Sequence, residues 1–478
     1  MRCATNNHPF PFLLPLFMIK KLLPLSLLPM VLVSCTMGPD FLGAKAPELP
    51  ATWVNDMPPG TDANTLDEWW HCFRDPQLTR LIEGGFAANP DMVSAALAIE
   101  KAQSSLRATR SSLFPSLGLS AGGSNAGNFD VSTSHGRWNG SLSASWTPDI
   151  WGGTRREIEA AAAALGSTEA AAAATRSALA SSIAASYFQW ISAKESLRIA
   201  KEQLEYQERT YKVTEERHAS GMESALALSE SRSTIASTRA QIPAQEANIR
   251  SCETALATLL GTTVDNIALK LPPSRIYNMV PKVPTGLPSE LLRRRPDVVR
   301  AEHELHAATA RIGVSVANLF PKISLTGGAS SSAGTDFSKF WANSAWSLGA
   351  SASHTLLNRT ALNEAVKQAE LNQLSSMQSY RKTVLAAFAE VEQCLIDYAK
   401  LTNQLPQYEA ARAANKESAE LSLRLHHEGM ADFLSVASAE RAWLSSELNI
   451  ISTRQNIRLA LAKLCTALGG GWPVDKNK

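Results

Sequence analysis

This chain contains itself twice, and that duplication restricts its fold more than any other feature. Asn89-Pro90-Asp91 recurs as Arg295-Pro296-Asp297, and Leu113-Phe114-Pro115 as Leu319-Phe320-Pro321. Gly221-Met222 recurs as Gly429-Met430, and Leu260-Gly261 as Leu468-Gly469. The four landmarks keep one order and nearly one spacing. Residues 67–270 and 297–470 are therefore expected to be two copies of one structural unit. A proline-rich linker, 271–296, joins them, and 471–478 form a tail. The period is far too long for a solenoid repeat. A duplicated half suits a body with pseudo-symmetry about an axis, such as a ring or tube.

The start of the chain reads as a secretory signal, residues 1–34. Lys20 and Lys21 precede an apolar run, Leu22 to Val33, that is too short to span a bilayer. Leu32-Val33-Ser34-Cys35 has the small-residue-then-cysteine order of a lipobox. It predicts cleavage before Cys35 and diacylation of its sulfur. Met18 is the more natural start, with Met1 to Phe17 an upstream extension. Thr36 stands where an aspartate would suggest retention in the inner membrane. Residues 35–66, rich in Pro, Gly, Asp and Asn, read as an extended tether from the lipid to the body.

Charge and cysteines exclude several classes. The formal net charge is +2. Removing residues 1–34 takes away Arg2, Lys20 and Lys21 and no acid, so the mature chain is close to neutral and is not a basic nucleic-acid binder. Cys72, Cys252, Cys394 and Cys465 show no CxxC and no paired spacing, so neither a metal site nor a disulfide framework is indicated. A pairing formed in an oxidising compartment would leave no mark in the sequence. No nucleophile elbow, phosphate loop or His-Glu-x-x-His motif is present, and an enzyme is not expected. No cofactor is implied. No run of apolar residues is long enough for a transmembrane helix, so any membrane crossing must use strands.

Two textures alternate along each copy. Thr154 to Ala219 has no proline and only Gly166, and is dense in Ala, Glu, Gln, Arg and Leu. It predicts roughly 100 Å of helix. Arg359 to Glu428 predicts a similar helix, bent at Pro406. Each needs partners along its length, and two shorter helical stretches of its own copy together nearly match it. These are Asp91–Ser112 with Met222–Leu260 in the first copy, and Asp297–Asn318 with Met430–Leu468 in the second. Gly221 and Gly429 are the expected hairpin tips, where glycine ends a helix and reverses the chain. Between the helices, Trp138 to Trp146 and Trp346 to Ser353 alternate apolar or Gly with polar residues. Shorter alternations run through Leu117, Leu119 and Ala121, and through Ile323, Leu325, Gly327 and Ala329. Period two predicts strands with one apolar and one polar face. The β-hairpins are placed at about 113–147 and 320–357, with polar loops at 123–137 and 331–343. Trp138 and Trp146 would stand roughly 26 Å apart, comparable with the aromatic girdles of an outer-membrane barrel. Four strands cannot close a barrel, and lipid does not tolerate an open edge, so closure requires several chains.

The chain resembles the TolC-like outer-membrane efflux proteins, in particular the lipoprotein branch of OprM/NodT type. The resemblance covers essentially the whole mature chain. It rests on Cys35, on Trp69-Trp70-x-x-Phe73-x-Asp75-Pro76-x-Leu78, on Leu291-Leu292-x-Arg294-Arg295-Pro296-Asp297, on both Leu-Phe-Pro motifs, on Asp149-Ile150-Trp151-Gly152-Gly153 and on the two glycine-led tips. It implies an α+β membrane protein: a homotrimeric 12-stranded outer-membrane β-barrel, four strands per chain, continuous with a long α-helical coiled-coil tunnel in the periplasm. It also implies a passive exit duct of a tripartite efflux system for small molecules. The partners would be a periplasmic membrane-fusion adaptor, an inner-membrane pump of RND type and outer-membrane lipid. The rival readings are a structural coiled-coil lipoprotein bridging the envelope, and an outlet for metal ions or secreted proteins.

The resemblance also directs attention to particular residues. Gly221, Met222, Ser224, Gly429, Met430 and Asp432 are the expected adaptor-contact tips. A periplasmic gate is expected near Asp432, Ser438 and Glu440. Ser438 replaces the aspartate usual nine residues after the second tip glycine, so Asp432 and Glu440 are the acids left to face a pore or simply the solvent. Arg293-Arg294-Arg295 reads as a helix-entry motif more than as a basic patch. His303 and His306, and the tip histidines His218, His426 and His427, are expected to face solvent rather than bind metal.

Overall fold

The computed structural model describes residues 36–48, 50, 53, 66–128, 131–273, 294–357 and 359–472. Cys35, the signal region, most of the inter-repeat linker and Arg293 lie outside them. The first copy runs α1 (Pro76–Ala88), α2 (Pro90–Ser111), β1 (Ser116–Asn128), β2 (Val131–Trp146), α3 (Gly153–Ala219) and α4 (Ala225–Leu259). The second runs α5 (Pro296–Ala317), β3 (Lys322–Ala333), β4 (Ala345–Ser353), α6 (Thr360–His427) and α7 (Phe433–Ala467).

The helix starts follow from local chemistry. Asp75 Oδ1 accepts from the Gln77 N–H at 2.9 Å, and Asn89 Oδ1 from that of Asp91 at 2.7 Å. Pro76 and Pro90 occupy the first turn, where no amide is needed. Asp149 accepts from the Thr154 and Arg155 amides and so starts α3. At 67 and 68 residues, α3 and α6 each reach about 100 Å. α3 packs on α2 and α4 of its own copy and also on α5 and α7 of the other, while α6 packs on α5 and α7. Pro406 does not end α6, nor does Pro243 end α4. Both lie on exposed faces, where water can satisfy the carbonyl that each leaves without a donor.

The sheet is antiparallel in the order β1-β2-β3-β4. The first hairpin corrects the expectation of a polar loop over 123–137. Gly123 pairs with Trp138, Asn125 with Gly136 and Gly127 with Ser134, so the strands continue almost to the turn. β1 and β2 are 13 and 16 residues long. Gly, Asn and Ser are turn-formers in isolation, but a paired neighbour holds them extended. The second loop contains a 3-10 helix, Phe337–Asn343, whose Phe340 ring lies over Gly140. Register sorts the side chains. Leu119 faces Leu142, Leu142 faces Ala329, and Ala329 faces Trp346. One residue over, Ser120 faces Ser141, and Ser141 faces Ser330. All four strands thus share one apolar and one polar face. The apolar face is bare, with Leu119 82% and Trp346 82% exposed. β1 and β4 have open outer edges.

The main core is a belt at mid-height. Trp69, Trp70, Phe73, Leu78, Ile183, Tyr187, Trp190, Leu256, Leu461 and Leu464 are buried there. The Tyr187 hydroxyl donates to Asp75 at 2.8 Å, which fastens the α1 cap to the middle of α3. Arg295, at the entry of α5, ties three helices together. It donates to both Asp297 oxygens, to Glu390 of α6 and to the Ala467 carbonyl at the end of α7. Arg294 pairs with Asp67.

The start of the tether, residues 36–40, is docked onto the helices. Buried Arg156 donates to the Met37 and Gly38 carbonyls and to Asp40. A Cβ on Gly152, whose φ is +76°, would lie 2.7 Å from Thr36 Cα. The residue after Cys35 therefore sits at the foot of the sheet. Two expectations for the histidines are corrected here. His306 pairs with Glu159 at 2.9 Å and stacks on Phe41, and His303 is half-buried against Gly166. Neither faces solvent freely.

Candidate functional site

The two hairpin tips are built alike. At the first, the Gly221 amide donates to His218 and that of Met222 to Arg217, with Gly221 at φ +72°. At the second, the Gly429 amide donates to His426 and that of Met430 to Leu425, with Gly429 at φ +82°. Each is a helix C-cap closed through a left-handed residue, which glycine adopts without strain. The outgoing helix is capped three residues after each glycine. Ser224 accepts from the Ala227 amide at 3.1 Å, and Asp432 from that of Ser435 at 2.9 Å. The Ser435 hydroxyl also bonds Asp432 and helps to hold its carboxyl below the usual carboxylate range.

Each tip presents an apolar knob to solvent. Met222 and Leu226 are 62% and 68% exposed, and Met430 and Leu434 are 67% and 60% exposed. Leu226 and Leu434 are additions to the expected tip residues. Their signal is present in the sequence: Gly-Met-x-x-x-Leu occurs in both copies. Such pairs on helix ends have no reason to stay bare in water, and they suit a docking face.

Inside the tips the two hairpins of one chain clasp each other. Ala227, Phe433 and Ala437 form an apolar contact between α4 and α7. Arg217 of the first hairpin lies 3.2 Å from where a Gly429 Cβ would stand, and 3.6 Å from Glu223. Glu223 lies 4.0 Å from His426, whose ring is fully buried and also contacts Thr214 and the Ala431 carbonyl. His426 thus departs from the expectation of a solvent-facing ring. His218 bonds the Glu223 carbonyl, and His427 alone of the three is exposed. No group of three or more His, Cys, Asp or Glu could hold a metal among the described residues.

The expected gate residues are not together. Asp432 and Ser438 are exposed. Glu440 is 4% exposed, and this corrects its placement as a pore- or solvent-facing acid. Its Oε1 accepts from Thr210 of α3 at 2.8 Å, so it lies in the joint between the two hairpins. One turn of α3 away, the Tyr206 hydroxyl donates to the Ala419 carbonyl at 2.7 Å, and its ring meets Trp443 edge-on. Burial pushes the Glu440 carboxyl up to about 7, against the opposing pull of the Thr210 bond and Arg441. Burial thus favours the protonated form of this acid in the joint. Position along a helix tells how far a residue is from a tip. It does not tell which way the side chain turns, and spacing alone therefore misplaces Glu440.

This geometry has close counterparts among known proteins. A family model described as "Outer membrane efflux protein" matches residues 82–262 and 287–470. The chain is 30% identical to a pyoverdine export outer membrane protein, OpmQ, of Pseudomonas aeruginosa over 90% of this chain and 92% of that one. It is 30% identical to the cation efflux system protein CusC of Escherichia coli over 95% and 99%. The solved outer-membrane channel OprN superposes with a TM-score of 0.81 at 28% identity, covering 92% of this chain and 100% of that one.

Proposed function

The chain belongs to the outer membrane efflux protein family, and from that premise we propose that three copies form the passive exit duct of a tripartite efflux system. The observation that carries the reading is the register of the sheet. Four strands share one apolar and one polar face, both outer edges are open, and the sheet runs directly into helical hairpins about 100 Å long. The apolar face suits lipid, the serine-rich face suits a wet lumen, and the edges pair with neighbouring chains. The first two relatives are named for pyoverdine and for cations, so the cargo follows the pump more than the duct. A structural bridge has no use for a serine-lined sheet. Native mass measurement in detergent should give three chains, and the reconstituted protein should conduct. A stable monomer that inserts into lipid would defeat the reading.

The tips are the proposed adaptor face, with Gly221, Met222, Ser224, Gly429, Met430 and Asp432 joined by Leu226 and Leu434. Met222→Asp together with Met430→Asp should lower export at least tenfold, on the order of the loss of a central apolar anchor. Trimer yield and membrane insertion should be unchanged. Normal export at wild-type abundance would move docking elsewhere.

Cys35 is the proposed lipid attachment. Its neighbour Thr36 rests against Gly152 at the foot of the sheet, where acyl chains would enter the inner leaflet directly. Radioactive palmitate should label the wild type and not Cys35→Ala. Equal labelling of both would remove the assignment. The Cys35→Ala protein should retain part of its export if a signal peptidase still cuts it, since the barrel itself holds the membrane.

A further inference from the structure

Two thiols from opposite ends of the chain meet in the belt. Cys72 lies in the 3-10 helix Trp69–Phe73, and Cys465 near the end of α7. The Cys465 thiol is hydrogen-bonded to that of Cys72. Cys465 is fully buried, while Cys72 is half-buried and packs on the same core. The backbone around the pair is already stitched. The Gly471 amide donates to the Leu66 carbonyl at 3.0 Å. A Cβ on Gly470 would lie 2.7 Å from both the Cys465 and the Leu66 carbonyl oxygens. The end of α7 is thus tied to the segment that enters Trp69–Phe73. Cys252 and Cys394 are buried in the same core, which leaves Cys72 as the thiol that an oxidant reaches.

We propose that Cys72 and Cys465 are joined by a disulfide bond in the mature protein, which closes nearly the whole chain into one loop. The helical body of an outer-membrane protein of this family lies in the periplasm, an oxidising compartment. The oxidant is a thiol–disulfide oxidase of that compartment. The Cys72 thiolate attacks its disulfide, forming a mixed disulfide and releasing one oxidase thiol. The Cys465 sulfur then attacks Cys72 Sγ, forming the new bond and releasing the second thiol. Two protons and two electrons pass to the oxidase, which leaves as a dithiol. The Cys72 contact and burial hold Cys465 as a neutral thiol once α7 is packed. The second step therefore belongs to folding, before the Trp69–Phe73 segment closes over it.

The test is peptide mapping of the full chain taken from envelopes, alkylated after denaturation without reductant and cut with trypsin. The peptide ending at Arg74 should be linked to the one beginning at Leu464, with only Cys252 and Cys394 alkylated. All four alkylated, or a link through Cys252 or Cys394, would overturn the proposal. A second readout does not depend on mapping. Dithiothreitol should lower the thermal unfolding midpoint of the wild type and leave that of Cys72→Ser unmoved. No effect of reductant on the wild type, or an equal effect on both, would overturn it. Neither readout depends on transport.

Discussion

In planar bilayers the isolated channel should open more readily as the pH rises from about 4.5 to about 7, and Glu440→Gln should abolish the response. The window follows from one buried carboxyl. If the duct opens by parting the two hairpins, Glu440 in the closed joint keeps its proton up to about 7, whereas a glutamate released into water loses it near its ordinary value of 4.5. Between those limits the closed state binds a proton that the open state lacks. Raising the pH then favours opening by about 1.4 kcal/mol per unit for each chain. Below the window both states are protonated, and above it neither is, so the response is flat on either side. Across the window the open-to-closed ratio should change on the order of a hundredfold per chain. Glutamine keeps the Thr210 partner and cannot ionise. A pH response of the same size in Glu440→Gln would remove Glu440 from the gate. Because Ser438 brings no charge, divalent cations should block the channel only weakly.

Arg295→Ala should cost about 1–3 kcal/mol, the usual loss when a buried acceptor, here the Ala467 carbonyl, is left without its donor. The guanidinium side chain is 10% exposed and spans three elements. It bonds Asp297 at 3.0 and 2.8 Å, Glu390 at 2.8 Å and the Ala467 carbonyl at 2.8 Å. Burial alone would raise the Asp297 carboxyl, but the bonds from Arg295 outweigh it and hold the group below its ordinary value. Without the guanidinium, the buried Ala467 carbonyl loses its donor, while Asp297 and Glu390, 38% and 53% exposed, can turn to water. Urea unfolding of the detergent-solubilised protein should show the loss. Arg295→Lys should recover only part of it, since an ammonium cannot match the planar fork. A change under 1 kcal/mol in the alanine variant would mean that the belt relaxes around the gap.

Much of this architecture is legible in the sequence because it is periodic. The repeated landmarks, the two long proline-poor runs and the period-two alternation each report a regular element, and Gly221 and Gly429 sit where each helix turns back. What is not legible is set by neighbours rather than by local preference. Residues 123–128 carry turn-forming side chains and still extend β1, because β2 pairs with them. Pro243 and Pro406 are tolerated where packing along a long helix outweighs one missing bond and the proline faces water. His426 and Glu440 look like surface residues near a tip, yet both turn into the contact between hairpins. The role of Leu226 and Leu434 appears only when the two copies are laid side by side.

The duplication also bears on the seam between chains. Ser116 faces Ser145 in the first hairpin, and their counterparts Lys322 and Ser353 face each other in the second. Ala144 faces Gly327 where the two hairpins of one chain adjoin. The counterpart of Ala144 is Ala352, on the free edge of β4, and that of Gly327 is Ala121, on the free edge of β1. If the closed cylinder repeats one hairpin six times, the joint between chains copies the joint within a chain. Ala352 then lies opposite the neighbouring chain's Ala121, and Ala350 opposite its Gly123. A chain folded alone would already hold, in β2 against β3, a template of the seam through which it recognises its own kind.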